Sequence, residues 1–248
     1  MRYQIIGTIA LVHDEKDIKE ILKRHNKITS IAVLKRIKGA YREPEVEIVW
    51  GSKNLETIHK ENEVLYKLDA GKIMFSKGNM FERHRIIPKK SETVLDMFAG
   101  IGYFTLPIAK KVKKVYAVEK NPLAFKYLKE NIELNKLNNV VAINDDCRNT
   151  ELNEKVDRVL MGFFSENENT QVFLPKAFSC IKSRAWIHYH NAYREYDLNN
   201  PEKELQEEAE LHGFRILKIK KRKVKSIAPK TWHVITDTLV LRQINYKA

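Results

Sequence analysis

The segment Asp96-Met-Phe-Ala-Gly-Ile-Gly102 joins an apolar run to a helical one. Gly100 and Gly102 would let backbone N–H groups approach a ligand with no Cβ between, and the N-terminus of the following helix faces the same place. The pattern is not GxGxxG, because Thr105 stands where a third glycine would, and no Gly-Lys-Ser/Thr of a phosphate loop follows. Alone it is a tight strand-to-helix turn. Three acids give it chemistry. Asp96 ends the strand before the glycines, Glu119 ends the next strand, and Asp146 follows the one after. Ligands of open α/β sheets sit at the carboxyl ends of strands, where an acid in the place of Glu119 grips a ribose diol. A carboxylate in the place of Asp146 would accept from an adenine amine. The constellation predicts a nucleoside-bearing cofactor.

The elements that must hold these groups follow from pattern. After Pro88, apolar runs at 93–98, 114–119, 140–144, 156–161 and 185–189 read as strands. They alternate with helical stretches that run from the glycine turn to about 111, and over 121–135, 172–181 and 202–212. Leu123, Tyr127, Leu128 and Leu134 share one face of the second helix. This alternation means βαβ units and a parallel sheet. Two further strands, 214–224 and 233–241, would close it as a hairpin with one antiparallel strand. Residues 1–88 read instead as a small α+β domain. Its expected parts are a strand at 3–12, a helix at 17–25, strands at 31–34 and 46–50, a helix or strand at 56–66, a strand at 72–75 and a basic helix at 81–87. The boundary at 88 separates it from a catalytic domain at 89–248.

Composition narrows the class. The 248 residues carry 45 Lys and Arg against 32 Asp and Glu, a net charge of +13, which points to a polyanionic partner. A hydrophobic fraction of 43% with only 9 Gly and 7 Pro excludes a disordered or collagen-like chain. No apolar run reaches the roughly 18–20 residues of a membrane span, and the N-terminus lacks a secretory cleavage pattern. Cys147 and Cys180 form no CxxC pair, which fits a cytoplasmic location and no structural zinc. His188 and His190 alternate on a strand end without a third ligand, so no metal is expected.

At this point the chain resembles a known group. DMFAGIGYF, AVEKNP and NDDCR are similar to motifs of class I S-adenosylmethionine-dependent transferases. FSKGNMFERHRI just upstream, together with Trp186-Ile-His-Tyr-His190, narrows the resemblance. It points to the family of tRNA guanine-37 N1-methyltransferases and wybutosine-pathway aminocarboxypropyltransferases. The resemblance runs from about Lys72 to the end. It implies a Rossmann-like, mostly parallel seven-stranded sheet. Within the family, Met161-Gly-Phe163 replaces the Asn-Leu-Pro typical of the methyltransferases, and Ser76-Lys-Gly-Asn79 replaces their Asn-Pro-Arg-type stretch. Both departures resemble the aminocarboxypropyl branch. The methyltransferases also carry a domain for the tRNA elbow, for which 248 residues leave no room.

The resemblance implies transfer of a 3-amino-3-carboxypropyl group from S-adenosylmethionine to the tricyclic wyosine precursor at position 37 of tRNA-Phe, releasing 5′-methylthioadenosine. The alternatives are guanine-37 N1-methylation and a tRNA-binding module without catalysis. The implied donor site comprises Ser76, Arg83, Asp96, Phe98, Ala99, Gly100, Gly102, Glu119, Lys120, Asp146, Cys147, Met161, Gly162 and Phe163. Arg83 would fork onto the methionine carboxylate and Ser76 would bond the same moiety. The backbone N–H of Cys147 would meet the adenine edge. Glu82 is the base of the methyltransferase branch, and its alternative here is a surface ion pair. Phe163 would stack on base or cofactor, or pack beneath the sheet. Cationic side chains Lys35, Arg36, Lys38 and Arg42 around Tyr41, with the run 218–225, form the expected surface for the anticodon arm. The chain is expected to act as a monomer. The loop 165–170 matches nothing in the family.

Overall fold

The computed structural model describes residues 3–39, 41–76, 79–163 and 169–243. A four-stranded sheet comes first, in the order β1 (Tyr3–Ile6), β2 (Ile9–Val12), β3 (Ser30–Lys38), β4 (Glu43–Gly51). The expected single strand at 3–12 is two strands. Gly7 turns the chain at φ +56°, where a Cβ would lie 2.2 Å from Thr57 Oγ1. Helix α1 (Ile18–Arg24) crosses between the parallel pair β2 and β3 and packs Ile21 against Val12, Ile31 and Val33. The ambiguous stretch at 56–66 is a hairpin, β5 (Glu56–Glu61) and β6 (Val64–Asp69).

No strand forms at 72–75. The carbonyls there are taken by side chains instead of a ladder: Phe75 C=O accepts from Gln4 Nε2 at 2.6 Å, and Met74 C=O from the Tyr103 hydroxyl at 2.5 Å. The basic helix is α2 (Met80–Arg85), one turn and a half long.

The second sheet has seven strands in the order β12-β13-β11-β10-β7-β8-β9. These are β7 (Thr93–Asp96), β8 (Lys114–Val118), β9 (Val140–Ile143), β10 (Val156–Met161), β11 (Ile181–Arg194), β12 (Phe214–Ala228) and β13 (Thr231–Arg242). The five strands β11, β10, β7, β8 and β9 run parallel, and β13 is antiparallel to both its neighbours. Strand order reverses between β7 and β10, which is where such sheets open a ligand crevice. Helix α3 (Thr105–Ala109) is shorter than expected, with Pro107 inside it removing a backbone donor. The others are α4 (Pro122–Leu134), α5 (Leu174–Cys180) and α6 (Asn200–Leu211). A 3₁₀ turn at Thr170–Phe173 replaces the start of the helix expected at 172.

The β5–β6 hairpin is tied to the second sheet through α4. Asn131 and Asn135 present their amides to β6 as a neighbouring strand would. Asn131 Oδ1 accepts from Lys67 N–H at 2.6 Å and Nδ2 donates to Lys67 C=O at 3.1 Å; Asn135 does the same for Leu65 at 2.9 and 2.7 Å. An edge strand is thereby closed. One apolar cluster runs across residue 88: Tyr66, Leu68, Ile73 and Phe75 pack with Ile101, Leu106 and Tyr127. Among the described residues no helix is long and apolar enough to cross a membrane.

Candidate active site

A cavity of about 340 Å³ lies over the ends of β7, β8 and β10. The glycine turn forms its base, with Gly100 at φ +57° and Gly102 at φ +101°. A Cβ on Gly100 would lie 2.5 Å from the Tyr103 ring, and one on Gly162 would lie 2.7 Å from Phe104. Both positions exclude a side chain on steric grounds.

Glu119 is fixed by backbone alone. Gly100 N–H donates to Oε2 and Asn121 N–H to Oε1, each at 2.7 Å. Burial raises its pKa while these N–H groups oppose the rise. Asp146 is held by charge. The Arg148 guanidinium donates to both its oxygens, at 2.9 and 2.6 Å, and Lys120 Nζ lies at 2.9 Å. The Arg148 hydrogen bond leads in keeping this carboxyl well below its usual range. Asp96 lies beneath the floor, fully buried and bonded to Thr105 Oγ1 at 2.8 Å, and burial pushes its pKa up to about 7. Burial likewise pushes the Cys147 thiol up to about 12, so no thiolate nucleophile is on offer.

Of the fourteen expected donor-site residues, ten line the cavity: Ser76, Arg83, Phe98, Gly100, Glu119, Lys120, Asp146, Cys147, Gly162 and Phe163. Asp96, Ala99, Gly102 and Met161 do not line it, and all four are buried. Phe163 lies against Phe98, ring centroids 5.1 Å apart and nearly parallel, while Phe173 meets Phe98 edge-on at 4.9 Å. Lys77, Gly78 and residues 165–168 of the expected motifs fall outside the described residues.

Two expected roles meet a different geometry. Arg83 is buried, and three of its five N–H groups are already committed: Nε and Nη2 donate to Glu61 at 2.8 and 2.6 Å, and Nη1 to Ser76 C=O at 3.0 Å. Glu82 is buried outside the cavity lining and accepts from Arg85 and from Arg222, the latter at 3.3 Å. It belongs to a buried chain in which Arg85 and Arg222 also meet Asp237, and Asp237 meets His188 Nδ1 at 2.6 Å. Arg158 can only donate, so His188 Nε2 accepts from it and the imidazole proton sits on Nδ1. Burial lowers the pKa of His188 and keeps the ring neutral.

Among the cavity residues that sequence reasoning missed are Asn79, Tyr103, Phe104, Arg148, Phe173 and Lys225, and it placed Tyr41 and Arg42 only on an outer surface. The β3–β4 tip brings Tyr41 and Arg42 to the cavity. The other cations of that ribbon face acids across the strands: Lys35 meets Glu47 at 2.7 Å and Arg36 meets Glu45 at 2.7 Å. A run of cations on β3 (Lys35, Arg36, Lys38) followed by a run of acids on β4 (Glu43, Glu45, Glu47) was the signal for that pairing.

Residues 57–217 match the family model described as the TRM5/TYW2 methyltransferase domain. The chain is 46% identical over 245 residues to the tRNA(Phe) (4-demethylwyosine(37)-C(7)) aminocarboxypropyltransferase of Methanocaldococcus jannaschii, covering 96% of this chain and 97% of that protein. It is 35% identical over 247 residues to the tRNA (guanine(37)-N(1))-methyltransferase Trm5b of Pyrococcus abyssi, covering 95% of this chain and 73% of that protein. The crystal structure of M. jannaschii TYW2 in complex with AdoMet superimposes with a TM-score of 0.81 at 41% identity, over 97% of this chain and 100% of that one.

Proposed function

We propose that this chain, which belongs to the TRM5/TYW2 methyltransferase domain family, is an S-adenosylmethionine-dependent aminocarboxypropyltransferase acting on the wyosine precursor base at position 37 of tRNA-Phe. The wall after β10 carries the choice within the family. Gly162 and Phe163 give the cavity no side-chain hydrogen-bonding group there, and Gly162 has no room for one. The likeness to the M. jannaschii aminocarboxypropyltransferase, over nearly the whole of both chains, supports the same reading.

The residues present fit the donor. Glu119, pinned by two N–H groups, retains lone pairs for a ribose diol. Asp146 and the N–H of Cys147 face the cavity for an adenine edge, and Phe98, Phe163 and Phe173 supply apolar walls. When bound, S-adenosylmethionine would supply a sulfonium whose γ-carbon is open to in-line attack: the bond to the base carbon would form as the carbon–sulfur bond breaks, with 5′-methylthioadenosine leaving and the base carbon's proton passing to solvent. The cavity walls hold the reacting partners in that orientation and keep water out, which is how positioning lowers a transfer barrier. The RNA partner is the anticodon arm, met by Tyr41, Arg42 and the cationic strand β12.

Incubation with labelled S-adenosylmethionine and tRNA carrying the precursor base tests the reading. Methylthioadenosine is the expected byproduct. S-adenosylhomocysteine would mean guanine or base methylation instead, and tRNA binding without either product would mean a non-catalytic module.

A further inference from the structure

The run 218–225 reads as one cationic strand, but its lysines do not share a face. In a regular strand residues two apart point the same way, so Lys221 and Lys225 would lie together. Lys221 Nζ instead meets Leu198 C=O at 2.7 Å and Glu202, beside α6. Lys225 Nζ meets Ser76 Oγ at 3.1 Å in the cavity. The cause is a bulge. Lys223 pairs with Val234 and Lys225 with His233, so Val224 is an extra residue without a partner. Bulges beside active sites re-aim side chains in this way.

The ammonium so placed is half-buried, and among the described residues no carboxylate lies within ion-pair reach of it. Burial, then Arg42 and Arg83, lower its pKa, so the charge is held at a cost that an incoming anion would relieve. Arg83 already spends three of its five N–H groups on Glu61 and Ser76, and its charge is balanced by Glu61. We propose that Lys225, aimed by the bulge at Val224 and steadied by Ser76, anchors the α-carboxylate at the amino-acid end of the donor. This rests on the reading of the cavity as an S-adenosylmethionine site. The carboxylate is the anion that every donor molecule brings and that methylthioadenosine lacks, so held donor and released byproduct differ at this residue.

Calorimetric titration of the full chain with S-adenosylmethionine and with 5′-methylthioadenosine tests the proposal. Lys225→Met is expected to weaken S-adenosylmethionine about tenfold or more, the scale of one charge-assisted hydrogen bond. Methylthioadenosine affinity should stay within about twofold, which also shows that the variant is folded. Lys225→Arg should recover most of the loss. Equal weakening of both ligands, or of neither, overturns the proposal. So does a loss confined to tRNA affinity, which would assign Lys225 to an RNA phosphate. Formation of S-adenosylhomocysteine in the transfer assay would remove the aminocarboxypropyl reading while leaving this difference between the two ligands in place.

Discussion

Arg83 and Glu61 form a buried, bidentate pair whose side chains are 2% and 4% exposed. Removing one partner strands an uncompensated charge in the interior, which costs about 3–5 kcal/mol. Arg83→Met and Glu61→Leu should each lose that much. For a chain of this size the loss is roughly 2–4 °C in Tm per kcal/mol, so about 6–20 °C. The double variant replaces the pair by apolar groups, an exchange that is often neutral or better. It should therefore be more stable than either single variant. His84 Nε2 lies 3.4 Å from Glu61 and would partly replace the lost arginine if protonated. Burial lowers the pKa of His84, so working near pH 8 keeps it neutral. Denaturant unfolding of the four proteins completes the cycle. If the single losses add in the double variant to within about 0.5 kcal/mol, the pair is not coupled and the reasoning fails. Donor titration adds a second reading: were Arg83 the carboxylate ligand, Glu61→Gln would release its fork and tighten S-adenosylmethionine binding.

Three further outcomes are expected. Asp96 binds its proton more tightly in the folded chain, with a pKa of about 7, than in the unfolded one, near 3.9. Its contribution to stability is therefore present at low pH and is lost as pH rises from about 4 to 7, so Asp96→Asn should become progressively more stable relative to the parent across that window; a pH-independent difference in unfolding free energy would refute this. Gly100→Ala puts a Cβ 2.5 Å from the Tyr103 ring at a φ of +57°, and should raise the Kd for S-adenosylmethionine at least tenfold, as titration will show. Lys218 and Lys220 are exposed on β12, and each replaced by Ala should lower the slope of log affinity for tRNA against log salt by about 0.7–0.9; an unchanged slope would take them off the RNA surface.

Much of the catalytic half was legible because its signals are local. A glycine turn between a strand and a helix, and acids at successive strand ends, depend on periodicity and steric rules that act within about ten residues. The same rules failed where a distant partner decides. Residues 72–75 look like a strand, yet their carbonyls are claimed by Gln4 and Tyr103, some 30 to 70 positions away. Glu61, in the stretch left open between helix and strand, gave no sign that it would neutralise Arg83. Lys225 was hidden by parity: one unpaired residue, Val224, reverses which face Lys225 takes relative to Lys221 and Lys223. A pattern count along a strand cannot register such an insertion.

The positive charge of the chain divides accordingly into kinds that its total conceals. Lys35 and Arg36 meet acids across β3 and β4, where exposed pairs contribute little to stability but cancel local field. Arg85, Arg158 and Arg222 are spent inside, bracing His188, Asp237 and Glu82 between α2 and the sheet. A third kind lies exposed on β12, where Lys218 and Lys220 adjoin a cavity that holds Lys225. On the proposed function, RNA drawn to that strand by charge would be brought to the mouth of the donor site, because the bulge at Val224 turns Lys225 of the same strand into the cavity. Specificity for the base must then come from the cavity walls, Tyr41 and Phe163 among them, since phosphate contacts carry no sequence information.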